Sequence, residues 1–467
     1  MAPTFKVLIA GAGIGGATLA VLLERANVDY LLFESSPTTP QQGSVIILTP
    51  NIMPLMGQLG LIRKLEAISK RVHAMNLSED SMKRIGEIDL SDHLERTGYH
   101  SLVMARSNLI ELLLSQVPKE KIHFNKRVVS FQQNKDEVTI RCADDTQFQG
   151  QILVGADGAD SGVRINLFKL LAKKGILNRV DAEEMVRDHL SFVGVTRPLS
   201  QEKYAILSEE SSHCHTIVSD RTPPFTWSYY TIPGNRICWS LDTQLDDISI
   251  RERQLLNEKQ QEDPQQQGHL WEMESFKRNP LLEKARNFAL PIGGTLADFI
   301  EVSENISKAE SDERLYETWH HGRTVLMGDA CHMMLPNAGQ GAVVAMLDAV
   351  ILANLFHELQ SATSENLVEM FKDYQAERYP SVKAQMSLNQ KVGKIMTGQT
   401  WTEALIRKVM VRCMSKVFHH FNDSRILSDQ PQASFLPLVE NKGKIAALPQ
   451  RRRRKSSSSS GDKSSKH

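Results

Sequence analysis

Six residues near the start of the chain, Gly11 to Gly16, have the G-x-G-x-x-G spacing that binds dinucleotides. They lie between an apolar, strand-like run and a helix-like stretch that ends at Arg25, which is the context this motif requires. Gly11 permits a tight turn, Gly13 lets the backbone approach a pyrophosphate, and Gly16 lets the helix pack on the strand. The phosphates then meet the positive end of the helix dipole.

An acidic residue, Glu34, follows the next predicted strand, Tyr30 to Phe33. Its distance from the glycine motif is close to the roughly 20-residue spacing at which a carboxylate binds the adenosine ribose 2′-hydroxyl. A carboxylate there repels the 2′-phosphate of NADP. The turn is therefore predicted to hold FAD or NAD.

Two further motifs occur later in the chain, Gly155-Ala156-Asp157-Gly158 and Gly328-Asp329-Ala330, and the second is followed by Pro336 to Gly341. Taken alone, Asp157-Gly158 would be read as a hairpin turn and Asp329 as a helix cap. Their occurrence in this order, after the glycine motif, favours one bound flavin nucleotide.

This ordered triple resembles the FAD-dependent monooxygenases of the para-hydroxybenzoate hydroxylase type, from about Lys6 to Pro380. The resemblance implies that Asp157 binds near the pyrophosphate and affects NAD(P)H binding, and that Asp329 binds the ribityl chain. It also implies that Arg106 opens a helix and reaches the FAD. By the same resemblance, the segment from Pro336 through Gly341 to Ala342 lies beside the isoalloxazine, where helix N–H groups stabilise charge on the reduced flavin.

The chain is also similar to a fungal secondary-metabolite branch of that family, which includes meroterpenoid and indole-diterpene epoxidases. The segments that carry this similarity are Gly43-Ser44, Pro50 to Leu55, Val163 to Leu167, Tyr316 to Trp319 and Gly322 to His332. The similarity also adds Gly43 to the predicted cofactor-binding residues. The branch implies a small aromatic or prenylated, terpenoid-like substrate.

The resemblance implies that NAD(P)H reduces FAD and that a flavin C4a-hydroperoxide then hydroxylates or epoxidises the substrate with oxygen from O₂. No second G-x-G-x-x-G follows a strand, in agreement with a family that has no second nucleotide-binding domain. Three alternatives remain open: a flavin halogenase, a flavoprotein reductase or dehydrogenase that transfers no oxygen, and a flavin-free binding protein of the same fold. Trp227 to Pro233 approaches the halogenase W-x-W-x-I-P pattern but does not match it.

The candidate catalytic residues are Tyr229 and Tyr230, which lie on a predicted strand. Because side chains alternate along a strand, only one of the two phenols can face the flavin. A phenol there could activate a substrate hydroxyl or an epoxide oxygen. The competing interpretation for either residue is a core aromatic.

The fold class predicted is α/β, a discontinuous Rossmann-like FAD-binding domain with an inserted β-sheet substrate domain and C-terminal helices. We expect an FAD-binding part at 1–185 that includes a returning helix from Ile52 to Ser69 and some substrate-domain strands near 75–105. A covering sheet is expected at 186–300, followed by an FAD-binding return segment at 301–385. A helical region at 386–440 and a disordered tail at 441–467 complete the prediction.

Charge and cysteine content favour a cytoplasmic enzyme without a metal site. Acidic and basic residues balance at 55 each, but residues 451–467 hold four Arg and three Lys against one Asp, so the remaining chain has an acidic excess and no sign of nucleic-acid binding. Five cysteines without C-x-x-C spacing indicate neither a disulfide framework nor a zinc site. The N-terminus lacks the basic region of a signal peptide.

Residues 402–421 form a predicted basic amphipathic helix. Leu405, Val409 and Val417 lie on its apolar face. Two interpretations remain open, packing on the body of the enzyme and peripheral contact with a membrane surface. The oligomeric state is not determined by the sequence.

Removal of residues 451–467 should leave FAD content and turnover of a soluble substrate unchanged in detergent-free solution. The segment is too polar to bury an apolar core. Flavin absorbance and NAD(P)H oxidation of the truncated and full-length proteins test this. Loss of either property would place the tail in the folded structure.

Overall fold

The computed structural model describes residues 5–39, 45–183, 187–219, 225–245, 279–334, 340–397 and 423–450. The strands, in chain order, are β1 (Lys6–Ala10), β2 (Asp29–Phe33), β3 (Val45–Leu48), β4 (Lys70–Val72), β5 (Ala74–Glu79), β6 (Arg84–Asp89), β7 (Ser101–Ala105), β8 (Ile122–His123), β9 (Val128–Gln133), β10 (Val138–Cys142), β11 (Gln147–Gly150), β12 (Ile152–Gly155), β13 (His189–Thr196), β14 (Cys214–Val218), β15 (Phe225–Ile232), β16 (Arg236–Gln244), β17 (Ser303–Ser311), β18 (Arg314–Leu315), β19 (His320–His321), β20 (Thr324–Leu326) and β21 (His332–Met333).

The helices are numbered in the same way. They are α1 (Ile14–Arg25), α2 (Met53–Gln58), α3 (Ile62–Ala67), α4 (His93–Thr97), α5 (Arg106–Leu114), α6 (Gly162–Lys173), α7 (Arg179–Ala182), α8 (Pro280–Ala285), α9 (Leu296–Glu301), α10 (Gly341–Glu358), α11 (Ser364–Thr397) and α12 (Asp423–Ser428). The predicted amphipathic helix at 402–421 lies outside the described residues, as do residues 451–467 of the predicted tail. The disorder expected for residues 441–450 is wrong, because the amide of Ile445 donates to the carbonyl of Arg96 and the amide of Leu448 donates to the carbonyl of Ser428.

A six-stranded sheet is assembled from distant parts of the chain, in the order β19-β20-β12-β1-β2-β8. The pairs from β20 through β8 are parallel, and β19 joins antiparallel at one edge. Strand β12 is buried along its whole length, as expected of a parallel strand covered on both faces. The α/β class and the discontinuous nucleotide-binding fold predicted from the sequence are confirmed.

A seven-stranded sheet, in the order β17-β13-β16-β15-β14-β5-β6, has two differently packed faces. One face carries an apolar core shared with α8 and α9, including Trp227, Trp239 and Phe299. The other face packs against β3 and β7 through Ile47 and Val103. Strands β5 and β6 reach this sheet from the region near residues 75–105, where substrate-domain strands were expected.

The helix predicted from Ile52 to Ser69 is wrong as a single element. It is divided into a short 3₁₀ turn and the helices α2 and α3. Gly60 has a φ of 70°, a left-handed conformation that ends a helix and favours glycine. The amide of Leu61 then bonds the carbonyl of Met56 and redirects the chain into α3.

Helix α10 is the described helix whose length and apolar composition would suffice to cross a membrane. Its 18 residues have a mean hydropathy of 1.5, and 72% of this stretch is buried inside the protein. The Cβ of Ala345 on α10 also lies 3.1 Å from the Cβ position that a side chain at Gly15 would take. Helix α10 is therefore a core helix packed closely on α1.

Candidate cofactor site

The glycine turn between β1 and α1 depends on close backbone contacts. Gly11 has a φ of 100°, and a Cβ there would lie 2.3 Å from the carbonyl oxygen of Ala156. A Cβ on Gly16 would lie 2.0 Å from the carbonyl oxygen of Gly11. Gly13, in contrast, faces open space, with no atom within 4 Å of its Cβ position. The turn thus leaves room at Gly13 for a ligand to approach the backbone.

Glu34 is buried at the carboxyl end of β2 and is 6% exposed. One of its carboxylate oxygens accepts a hydrogen bond from the amide of Ala12 at 3.0 Å, and the other accepts one from the amide of Ser36 at 2.9 Å. These bonds fix the carboxylate beside the glycine turn. The oxygen bonded to Ser36 also accepts from the Ser35 hydroxyl at 3.1 Å, whereas the oxygen bonded to Ala12 keeps acceptor capacity for a further donor such as a ribose hydroxyl.

Asp157 anchors the loop between β12 and α6. Its carboxylate accepts hydrogen bonds from the Ser161 hydroxyl and from the amide of Val163. Burial raises the pKa of Asp157, although these two donors oppose the increase. The buried Arg164 then donates to the carbonyls of Ala159 and Ala330, at 2.6 and 3.2 Å. This arginine joins the loop after β12 to the Gly328–Ala330 turn.

Asp329 lies in that 3₁₀ turn, opposite the beginning of α5. Burial raises the pKa of its carboxyl, and the charge of Arg106 is the strongest influence in the other direction. Among the described residues, no hydrogen bond to the Asp329 carboxylate is formed. Its oxygens therefore remain available to a ligand with hydroxyl groups.

Helix α10 begins at Gly341, and Gln340 at its N-cap makes no side-chain capping bond. The first amide groups of the helix are thus free of a side-chain cap and lie at the cavity described next. An 18-residue helix directs the positive end of its dipole toward this position. The arrangement suits partial or full negative charge on a bound group.

One cavity of about 820 Å³ brings most of the predicted cofactor residues together. Such a volume lies in the upper part of the range of about 300–1,000 Å³ that is typical of ligand and cofactor pockets. The predicted residues that line it are Gly11, Gly13, Glu34, Arg106, Asp157, Asp329, Gly341 and Ala342. Gly16 is set behind the turn, where it packs α1 on β1. Gly43 and Pro336 lie outside the described residues.

The two candidate tyrosines lie on opposite faces of the seven-stranded sheet. Tyr229 is 2% exposed, and its ring stacks on His215 in the core that α8 and α9 cover. Tyr230 lies on the other face in a cluster with Val45 and Ala105. Val45 also lines the cofactor cavity. Tyr230 thus lies on the face toward β3 and β7 without lining the cavity itself, whereas Tyr229 is a core aromatic.

Sequence reasoning missed a buried ion cluster directly behind the Gly328–Ala330 turn. The Asp348 carboxylate accepts hydrogen bonds from the amide of Gly328 at 3.0 Å, from Nε2 of His332 at 2.5 Å and from Nε of Arg378 at 2.8 Å. Burial opposes the ionisation of Asp348, yet the interactions with His332 and Arg378 hold its pKa below the ordinary value. An acid inside an apolar helical pattern was the available sequence signal.

Cys331 lies beside this cluster, and the ligand atoms of Cys331, His332 and Asp348 are within 4.8 Å of one another. Both Asp348 oxygens, however, already accept hydrogen bonds from the amide, imidazole and guanidinium donors. The group is therefore interpreted as a structural ion cluster. Its effect is to connect α10, the turn that carries Asp329, and α11.

A model of the FAD binding domain family matches residues 4–281 and 295–388, which is most of the chain. The chain therefore belongs to this family, and its cofactor is FAD. The cavity fits that assignment, because it joins the glycine turn, the Glu34 and Asp329 carboxylates and the amino end of α10.

Curated relatives are fungal FAD-dependent monooxygenases. The chain is 26% identical to ausM of Emericella nidulans over 457 residues, covering 94% of this chain and 88% of the relative. It is 24% identical to atmM of Aspergillus flavus over 453 residues, with coverages of 94% and 88%. The chain is an FAD-dependent oxidoreductase of the monooxygenase class.

Solved structures share the fold at low sequence identity. Klebsiella pneumoniae HpxO in complex with FAD and uric acid has a TM-score of 0.66 and 20% identity, covering 91% of this chain and 95% of that chain. The 2,6-dihydroxypyridine-3-hydroxylase of Arthrobacter nicotinovorans has a TM-score of 0.64 and 18% identity, with coverages of 86% and 95%.

Glu34→Ala and Asp329→Ala should each weaken FAD retention without unfolding the protein. Loss of a hydrogen bond to a charged group costs about 1.5–3 kcal/mol, which corresponds to an increase of roughly 10- to 100-fold in the FAD dissociation constant. Flavin fluorescence during titration of the apoprotein measures it. Asp136→Ala, at an exposed position that does not line the cavity, is the control. Wild-type affinity in both site variants would remove these carboxylates from FAD binding.

Asp348→Asn should destabilise the holoprotein and loosen its flavin. Removing one partner from a buried charge pair costs about 3–5 kcal/mol because the remaining charge stays buried. Asp429→Asn is the matched control, since Asp429 contacts the same arginine at 3.3 Å but is more exposed, and we expect a cost of about 1 kcal/mol or less. Urea unfolding followed by flavin fluorescence compares them. Equal urea midpoints for the two variants would show that Asp348 stabilises the protein no more than Asp429 does.

Proposed function

We propose that this enzyme uses NAD(P)H and O₂ to hydroxylate or epoxidise a small aromatic or prenylated, terpenoid-like substrate. When bound, FAD supplies the electron transfer from NAD(P)H and the activation of O₂ as a C4a-hydroperoxide. The overall balance is one NAD(P)H, one proton and one O₂ consumed for each oxygen atom inserted and each water released. The observation that carries the proposal is the cavity, which unites residues from all three motifs beside the tyrosine-bearing face of the covering sheet.

The residues of the cavity are assigned roles from their positions. We assign the Glu34 carboxylate to the hydroxyls of the adenosine ribose, and Asp157, held by Ser161 and Val163, to the region of the pyrophosphate. Asp329, whose carboxylate has no bond within the described structure, takes the ribityl hydroxyls. Arg106 at the first turn of α5 supplies a positive charge beside them.

The amino end of α10 is assigned to stabilising negative charge on the bound cofactor. Gly341 and Ala342 line the cavity at the positive end of the helix dipole. Donors fixed there stabilise negative charge as it develops on a bound group, without reorganisation during the reaction. Pro336 and Gly43, assigned to the same cofactor from the sequence, keep that assignment as part of the proposal.

Tyr230 is the candidate catalytic residue of the covering sheet. Its side chain packs in the apolar cluster with Val45 and Ala105, and burial raises the pKa of its phenol well above the ordinary value of a tyrosine. The phenol therefore stays protonated near neutral pH and acts as a hydrogen-bond donor. Such a donor positions a substrate hydroxyl or protonates an oxygen that becomes negative during the reaction.

The domain organisation proposed with this function keeps the FAD-binding parts at 1–185 and 301–385 around a covering sheet at 186–300, to which β5, β6 and β17 from the flanking parts also contribute. Residues 386–440 are proposed as the C-terminal helical region, and the tail is proposed to begin after the hydrogen-bonded residues 441–450. We propose that the enzyme is cytoplasmic and contacts a membrane surface peripherally through residues 402–421. An apolar substrate would reach the cavity from that surface.

The test measures NAD(P)H-dependent oxygen consumption against a panel of phenols and prenylated aromatics, with ¹⁸O₂ as the oxygen source. The proposal requires one ¹⁸O atom in the product. Flavin reduction without oxygen insertion would favour a reductase, and product formation only with added halide would favour a halogenase.

Tyr230→Phe should retain FAD but lower the yield of oxygenated product per NAD(P)H, with the difference released as hydrogen peroxide. Tyr229→Phe is the matched control, because this phenol lies in the opposite core, and its coupling should remain that of the wild type. Product and peroxide are quantified in the same reaction. Wild-type coupling in both variants would exclude a phenol from the mechanism.

A further inference from the structure

The face of the seven-stranded sheet that carries Tyr230 also carries a row of polar side chains. Alternation along β15 and β16 places them on this face together with Cys238. In register, Tyr230 is opposite Cys238, and the next two pairs on the same face are Ser228 with Ser240 and Thr226 with Asp242. Four residues of extended strand separate the first pair from the last, a distance of about 13 Å.

Hydrogen bonds divide this row into two groups. Asp242 accepts from the hydroxyl of Ser191 at 2.5 Å and from that of Ser240 at 3.1 Å. In the other group, the hydroxyls of Ser228 and Thr216 are hydrogen-bonded at 2.8 Å. Within the described structure no bond connects Ser228 to Ser240, although they are directly opposite. The two groups therefore face each other across a junction that a further hydroxyl can bridge.

The electrostatic character of this end of the face is acidic. Burial raises the pKa of Asp242 to about 6, so that the group is mostly ionised at pH 7.5. The nearby His189 imidazole lies 2.7 Å from the Asp188 carboxylate, so its Nδ1 is directed at Asp188 and not at Asp242. Burial also raises the pKa of Glu313, a neighbour of His189, to about 7.

The row begins beside the cofactor. Tyr230 and Cys238 share an apolar cluster with Val45, which lines the cofactor cavity. A molecule lying on this face therefore has one end next to the cofactor and the other about 13 Å away at the level of Asp242. Its reacting carbon and its polar end are then about 13 Å apart.

We infer that the row from Tyr230 to Asp242 is a subsite for an elongated, neutral substrate that donates a hydroxyl hydrogen bond, and that Asp242 excludes substrates bearing a carboxylate. The inference rests on the proposed function, since it takes the Tyr230 face as the substrate side. A substrate hydroxyl donates to the Asp242 carboxylate, whose two oxygens otherwise accept, among the described residues, only from Ser191 and Ser240. A carboxylate only accepts, and two like charges in a buried site repel each other strongly.

The experiment compares two probes that differ in one group, 4-geranylphenol and 4-geranylbenzoate. The oxidised, FAD-loaded enzyme is titrated at pH 7.5, and binding is followed by the change in flavin absorbance. We expect the wild type to bind the phenol at least about tenfold more tightly than the benzoate. Asp242→Asn should reduce this preference to below about threefold, chiefly because the benzoate binds better.

Glu310→Gln is the control, because Glu310 pairs with Lys308 on the opposite face of the same sheet. It should keep the wild-type preference. Ser228→Ala is a second variant that does not alter the carboxylate. This variant should bind 4-geranylphenol several-fold more weakly than the wild type does, and its affinity for 4-geranylbenzoate should be unchanged.

A wild-type enzyme that binds both probes equally, or that fails to bind the phenol, overturns the inference. So does an unchanged preference in a folded, FAD-loaded Asp242→Asn. The ¹⁸O content of the product is measured separately. Selective binding with peroxide as the sole oxygen product would contradict the proposed oxygen transfer and support the subsite.

Discussion

The carboxylate of Asp348 holds together the chain segments that bear on the cofactor cavity. It is fully buried, yet it is satisfied by the amide of Gly328, by His332 and by Arg378. These donors belong to the Asp329 turn, the strand after it and α11, whereas Asp348 itself lies on α10. A buried carboxylate with fewer partners would be strongly unfavourable. The relative position of the turn and the amino end of α10 therefore depends on this one residue.

The glycine contacts impose a second constraint that acts in the same place. Gly11 and Gly16 allow the first turn to approach Ala156 and α1 to approach β1. Gly15 and Gly328 both lie close to the Cβ of Ala345 on α10. Glycine is needed wherever three segments meet at distances that exclude a side chain. Thus the ion cluster sets the direction of α10, and the glycines determine how near it comes to the cofactor.

The two faces of the covering sheet differ: one forms an apolar core, and the other is the face of the proposed substrate site. Its outer face carries Trp227, Trp239 and Tyr229 in a closed apolar core. The inner face has an apolar end packed against β3 and β7 and a polar end at Asp242. Because neighbouring residues on a strand point in opposite directions, a change of one position exchanges a core residue for a site residue.

The sequence by itself determined the cofactor site to a large extent. Gly11 and Glu34 have the spacing of a dinucleotide-binding turn, and the assignment of Asp157 and Asp329 to one flavin followed from the resemblance of the ordered motifs to a known family. The α/β class followed from strand and helix patterns. These properties depend on contacts between residues that are close along the chain or that repeat a known motif.

Only the tertiary structure decided the rest. Sequence alternation showed that Tyr229 and Tyr230 face opposite ways, but the choice between them needed the packing of β3 and β7 on one face of the sheet. The hydrogen bond from Arg378 to Asp348 connects residues that are 30 positions apart, and the one from Ser191 to Asp242 connects residues that are 51 positions apart. Neither pair has a local signature, because each side chain is satisfied by a group that reaches it only when separate elements pack together.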